Sequence, residues 1–240
     1  MHIHYVDTAP DDTTIPPLLF VPGITDTVED YLDVLPMFGR RALVVELRGR
    51  GRSDAPPHGY GFEDHVSDVG AVIEHAGLDR FHLATFSRGT GYALGWTVRN
   101  PGRVLTVSIG DYLVQEIRPP EGWAEPFLRG RWRGRPVHER LAEVALRGIE
   151  REAKARPMWD ELAAQNIPVQ VMRAGLGGRA GRVGVDEAAV ARYEATFKRV
   201  EVITFEESDH DLFAPDPTRF PRLVAALADR NDPPVSPPLT

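Results

Sequence analysis

The segment Thr85-Phe86-Ser87-Arg88-Gly89-Thr90-Gly91 places a serine between small residues two positions to either side. Where a strand turns sharply into a helix, such a serine is held in a strained backbone conformation with its hydroxyl exposed, and bulky flanking residues would obstruct the turn. Ser87 is therefore the candidate nucleophile. At the start of a helix, the free N–H of Arg88 and the positive end of the helix dipole would stabilise an oxyanion developing nearby. A serine hydroxyl alone attacks poorly. It needs a base to take its proton and a third group to orient that base and stabilise its charged form.

The surrounding pattern predicts the elements that would hold these groups. Strands are expected over His2 to Val6, Leu18 to Val21, Ala42 to Leu47, Phe81 to Thr85, Val104 to Ile109, Val169 to Arg173 and Val200 to Phe205. Helices are expected over Phe62 to His75, Arg88 to Arg99, Asp186 to Lys198 and Thr218 to Asp229, with another capped by Asp26 or Thr27 and carrying Val28, Tyr31, Leu32 and Leu35 at helical spacing. Alternating short apolar runs and helical patterns imply right-handed crossovers and a mainly parallel sheet covered on both faces. The rhythm stops after Asp111 and resumes near residue 161. Residues 112–160, which contain Trp123, Trp132, Trp159 and a long helical pattern from Val137 to Arg156, read as an inserted lid. The expected organisation is a core of residues 1–111 and 161–230, that lid, and a flexible proline-rich tail over residues 231–240.

Further motifs carry a family resemblance. Val21-Pro22-Gly23-Ile24 resembles the oxyanion loop of α/β-hydrolases, with proline in place of the usual histidine. Glu46-Leu47-Arg48-Gly49-Arg50-Gly51-Arg52-Ser53 is similar to the family's Asp-x-Arg-Gly-x-Gly-x-Ser segment, with glutamate in place of aspartate. The serine turn and Ser208-Asp209-His210-Asp211-Leu212-Phe213 complete the set, which covers nearly the whole chain outside the lid. The resemblance implies an α/β fold with a doubly wound, mainly parallel sheet of the α/β-hydrolase type and a short helical lid. It also implies an oxyanion hole formed at Ile24 and Arg88, and His210 as the base, on the loop after the last strand. His2, His4, His58, His65, His75, His82 and His138 read as surface or packed histidines.

The resemblance usually puts the acid after the strand that follows the lid, but Ala174 to Gly181 contains no carboxylate. Some family members carry it one strand earlier, which points to Asp111. Asp186 is an alternative, although it also reads as a helix cap. Asp209 and Asp211, adjacent to His210, are expected to shape its loop. In the lid, Trp123, Phe127, Trp132 and Trp159 are candidate walls of a substrate pocket, since ligand sites are mostly apolar. Arg129-Gly130-Arg131-Trp132-Arg133-Gly134-Arg135 could clamp an anion or could be solvated lid surface, and the second reading is favoured. Arg88 is expected to pair with a lid acid or with substrate.

Composition narrows the function class. A chain of 240 residues with a net charge of -7 lacks the basic footprint that nucleic acid requires, so the expected partner is a small-molecule substrate. Without cysteine, thiolate metal sites and a cysteine nucleophile are excluded, and no motif implies a metal or organic cofactor. No apolar run approaches the roughly 20 residues that span a bilayer, and no secretory signal is visible, so a cytoplasmic enzyme without membrane partners is expected. The leading function is hydrolysis of a small-molecule ester, thioester or lactone through an acyl-enzyme on Ser87. Alternatives are a lyase or cyclase using the same groups for acid–base chemistry, and a ligand-binding pseudo-hydrolase.

Overall fold

Every residue of Leu18–Val21 is buried, as expected of a strand covered on both faces. In the computed structural model, which describes residues 1–9, 11–12, 14–176 and 184–234, this run is the second strand of a seven-stranded sheet. The strands are β1 (Tyr5–Asp7), β2 (Leu18–Val21), β3 (Ala42–Val45), β4 (Phe81–Phe86), β5 (Val104–Gly110), β6 (Val169–Ala174) and β7 (Val200–Phe205). Their spatial order is β1-β3-β2-β4-β5-β6-β7. Only β1, on one edge, runs antiparallel to its neighbour.

Side-chain alternation divides the core in two. Leu19, Val21, Leu43 and Val45 face α1 (Phe62–His75) and α2 (Gly89–Thr97). Leu18, Phe20, Ala42 and Val44 face Val28, Tyr31, Leu35, Phe38 and the inner side of α7 (Arg219–Asp229). α6 (Glu187–Thr196) joins the first side through Tyr193. The sheet is thus doubly wound, as expected. Among the described residues, no helix is long and apolar enough to cross a membrane.

Several expected elements are replaced. The helix after Thr27 is reduced to two short 3-10 turns, Val28–Asp30 and Leu35–Phe38. Pro36 has no N–H to give the Leu32 carbonyl and would clash with it, so a continuous α-helix cannot pass this point. The first strand starts at Tyr5, because His2 and His4 instead bond the loop after β3, through Asp54 N–H to His2 O and Glu46 N–H to His4 O. β3 ends before Glu46, whose buried carboxylate turns back to accept from Val28 N–H (2.9 Å) and Arg52 N–H (2.8 Å). A Cβ on Gly51 would lie 2.1 Å from that carboxylate, so the glutamate fits only beneath a glycine.

In residues 112–160 the long helix expected from Val137 to Arg156 is broken up. The segment holds α3 (Ala124–Leu128), a hairpin pairing Arg131–Trp132 with Arg135–Pro136, a 3-10 turn at Val137–Glu139, α4 (Glu143–Glu152) and the start of α5 (Trp159–Ala164). Arg133 and Gly134 at the hairpin tip both have positive φ, the conformation of a tight two-residue turn. α3 and α4 share a separate apolar cluster of Ala124, Leu146 and Ile149, with Val137, Leu141 and Ile24. The expected flexible tail is corrected at its start, where Asp232 is pinned by Arg40 (2.9 Å) and by His82 Nε2 (3.0 Å). Residues 235–240 lie outside the described residues.

Candidate active site

Ser87 terminates β4 with φ 51°, a left-handed conformation that a non-glycine residue adopts at a cost. The turn is tied on both sides: Ser87 N–H donates to Gly110 O on β5 (2.8 Å), and Ser87 O accepts from Thr90 N–H (3.0 Å). Two residues on, a Cβ at Gly89 would lie 2.1 Å from Pro22 O, so only glycine lets α2 begin this close to the loop after β2. Thr85 occupies a position where glycine is common. Its hydroxyl donates to Ser108 O (3.2 Å) and accepts from Thr90 Oγ1 (3.0 Å), so burial leaves no unsatisfied polar group.

His210, on the loop after β7, has its Nε2 2.8 Å from Ser87 Oγ and its Nδ1 2.7 Å from Asp111 Oδ2. An ionised carboxylate can only accept, so Nδ1 carries the hydrogen and Nε2 is free to accept from the serine. Asp111 is buried just past β5 with φ 44°. Its other oxygen accepts from Ala174 N–H (3.3 Å) and Val185 N–H (3.1 Å), while its own N–H donates to Met172 O on β6 (2.7 Å). The structure thus brings Ser87, His210 and Asp111 into one hydrogen-bonded row. Asp186 is elsewhere, capping α6 through Ala189 N–H (2.8 Å). Asp209 and Asp211 shape the histidine loop, with Asp209 accepting from Asp211 N–H (3.0 Å).

Ile24 and Arg88 line the cavity beside Ser87, and the backbone N–H of neither is matched to an acceptor in a turn or loop among the described residues. The loop that carries Ile24 is held from three sides. Gly23 N–H donates to Asp26 Oδ2 (2.7 Å), Arg50 Nε to Ile24 O (3.2 Å) and Arg140 Nε to Thr25 O (2.8 Å). Arg50 and Arg140 are both almost fully buried. Such clamping limits how far the loop can move.

A cavity of about 80 Å3 opens beside Ser87, and Trp123, Phe127 and Trp132 wall it on the side of residues 112–160. The same three aromatic residues border an outer cavity of about 420 Å3. Trp132 Nε1 donates to Asp26 Oδ1 (2.6 Å), and burial pushes the Asp26 carboxyl above its usual range. Trp159 requires a correction: expected as a pocket wall, it packs in the main core against Tyr193 and Phe197. α5 carries it into this core beside Met158 and Leu162, which are buried in the same cluster. Replacing Trp159 with alanine should lower unfolding free energy by about 3–5 kcal/mol in urea titration. It should leave KM for an ester unchanged, and a raised KM would place it in the pocket after all.

The arginine-rich stretch is split. Arg133 makes two hydrogen bonds to Asp211 (2.8 and 2.7 Å) and packs over Tyr31 and Phe213, while Arg129, Arg131 and Arg135 are exposed. The hairpin therefore touches the oxyanion loop through Trp132 and the histidine loop through Arg133.

Arg88 pairs with Glu116, within residues 112–160, and donates to Ile117 O (3.0 Å). Although burial disfavours its charge, the acidic groups around it, Tyr112 and Glu116, hold it protonated. Burial pushes the Glu116 carboxyl up to about 7, against the pull of Arg88. The folded chain therefore keeps a proton here that the unfolded chain releases near the ordinary value of 4.5. The resulting stability is complete below that value and is lost as pH rises through 7. Between pH 5 and pH 8 the wild type should lose up to about 3 kcal/mol that Glu116→Gln does not lose, measured by urea unfolding at both pH values.

Sequence marks Asp26 only as a possible helix cap and Arg50 only as part of a motif, and it singles out neither Glu116 nor Arg140. Arg50 lies inside the Glu46–Ser53 motif and Asp26 just beyond the Pro22-Gly23 loop, and both positions were visible signals. Nothing local marks Glu116 or Arg140. Among the described residues, no group of three or more His, Cys, Asp or Glu could hold a metal ion.

The family model described as alpha/beta hydrolase fold matches residues 16–133. A relative, the AB hydrolase superfamily protein YisY of Bacillus subtilis, is 36% identical over 89 residues, which is 36% of this chain and 33% of that protein. A haloalkane dehalogenase of Psychrobacter cryohalolentis is 27% identical over 119 residues, covering 48% of this chain and 39% of its own length. The chain thus spans well under two thirds of these relatives. Among solved structures, MGS-M2, an alpha/beta hydrolase enzyme from a Medee basin deep-sea metagenome library, superposes with a TM-score of 0.77 over 94% of this chain and 93% of its own, at 13% identity. That likeness is one of fold.

Proposed function

The chain is an α/β-hydrolase-fold protein, and we propose that it hydrolyses a small-molecule ester, thioester or lactone through an acyl-enzyme on Ser87. The observation that carries this reading is the row Ser87 Oγ, His210 Nε2, His210 Nδ1, Asp111 Oδ2, with separations of 2.8 and 2.7 Å. In the proposed reaction, His210 Nε2 takes the hydroxyl proton as Ser87 Oγ bonds to the carbonyl carbon. The oxyanion is received by the N–H groups of Ile24 and Arg88. Asp111 holds the imidazole in the required tautomer and stabilises the imidazolium. Collapse of the tetrahedral species expels the leaving group with the proton from His210. Water then repeats the sequence on the acyl-enzyme and releases the acid.

Dehalogenation, the activity in one relative's name, does not suit a serine at this position. Displacement of halide by Ser87 Oγ would leave an alkyl ether, which the same site could not hydrolyse, and no oxyanion would form for Ile24 and Arg88 to stabilise. The defining experiment is labelling with a fluorophosphonate probe followed by burst kinetics on p-nitrophenyl acetate. A labelled Ser87 peptide and a burst near one equivalent are expected. A clean enzyme that shows neither would refute the acyl-enzyme.

A further inference from the structure

Arg88 is the one arginine lining the cavity beside Ser87 among the described residues, and a cation there would ordinarily select a substrate carboxylate. Its surroundings argue otherwise. Nη1 is engaged by Glu116, Nη2 donates to Ile117 O (3.0 Å), and the guanidinium stands over the Trp123 ring at 5.3 Å. Both ends of the fork and one face are therefore occupied. The Arg88 and Glu116 side chains are 6% and 0% exposed, so water does little to screen the pair. The other charged group in the wall, Asp26, is an acid whose two oxygens already accept from Gly23 N–H and Trp132 Nε1. A carboxylate entering this space would lose its hydration, meet a cation already matched, and face Asp26.

Resting on the reading of Ser87 as an acylated nucleophile, we propose that the acyl group it accepts carries no carboxylate, and that Glu116 determines this specificity by masking Arg88. Glu116 touches no reacting atom in this scheme; it acts through the arginine that does line the cavity. The Arg88 N–H serves the oxyanion while its side chain is kept from serving as an anion anchor. The neighbouring residue on the elbow can thus be cationic without drawing charged substrates.

The test compares p-nitrophenyl butyrate with p-nitrophenyl hydrogen succinate at pH 8, in the wild type and in Glu116→Gln. In the wild type, kcat/KM for butyrate should exceed that for the hemisuccinate by roughly 100-fold, the order expected for a carboxylate buried without its own partner. In Glu116→Gln the freed arginine should narrow that ratio about tenfold or more, the scale of a hydrogen bond to a charged group. Adding Arg88→Met to that variant should restore the preference for butyrate. Comparable wild-type turnover of the two esters would overturn the proposal, and that measurement needs no variant. A preference for butyrate that Glu116→Gln leaves unchanged would overturn the role of Glu116. If neither ester is hydrolysed and the fluorophosphonate leaves Ser87 unlabelled, the underlying acyl-enzyme reading fails and this inference falls with it.

Discussion

Ser87→Ala should reduce kcat on a p-nitrophenyl ester by roughly 10^4- to 10^6-fold, the range seen when a serine nucleophile is deleted, and should abolish labelling by a fluorophosphonate. The fold should survive, because the ties that hold this turn do not involve the hydroxyl. Ser87 N–H to Gly110 O and Thr90 N–H to Ser87 O are backbone bonds, and Gly89 still passes beneath Pro22. Alanine keeps the same Cβ at φ 51°, so unfolding free energy should stay within about 1 kcal/mol of wild type. Activity retained within tenfold, or labelling that persists, would remove the serine from the mechanism.

The second large effect concerns Asp111→Asn, for which kcat should fall by about 10^4-fold. Asparagine tolerates φ 44° as aspartate does, so the backbone is not the cause. Its carbonyl oxygen can keep the bonds from Ala174 and Val185 N–H. That choice turns the NH2 group toward His210 Nδ1, which must then accept. The imidazole hydrogen moves to Nε2 and faces Ser87 Oγ, where a base is needed. Near-neutral stability with collapsed activity is the expected signature. Turnover close to wild type would mean that the acid acts from elsewhere.

Much of this arrangement was legible in sequence because it is local. The buried runs Leu18–Val21 and Val104–Gly110 and the helix Phe62–His75 follow from apolar spacing alone. The turn at Ser87 follows from the small residues around it. Asp111 came through the resemblance to α/β-hydrolases, some of which carry the acid one strand earlier, since Ala174 to Gly181 has no carboxylate. What stayed hidden depends on distant partners. The pattern of Val28, Tyr31 and Leu35 suits a helix, and it took Pro36 and the bond from Val28 N–H to Glu46 to reduce it to single turns. Trp159 and Trp123 look alike as aromatic residues in one segment, yet only their packing separates core from pocket wall. The partners of Arg88 and Trp132 lie 28 and 106 residues away, beyond any local pattern.

The position of Asp111 has a mechanical consequence. Ser87 N–H is fastened to β5 at Gly110, and Asp111 N–H is fastened to β6 at Met172. Ser87 and Asp111, the proposed nucleophile and acid, therefore ride on adjacent strands, a single ladder spacing of about 4.8 Å apart. Both ends of the row are thus fixed to one sheet by backbone bonds. An acid one strand farther out would add a second rung of play. Misalignment is instead confined to one joint, the loop bearing His210, and Arg133 braces that joint through Asp211. The sheet acts as a rigid gauge, and the tolerance of the whole relay is set by how firmly one imidazole is held against it.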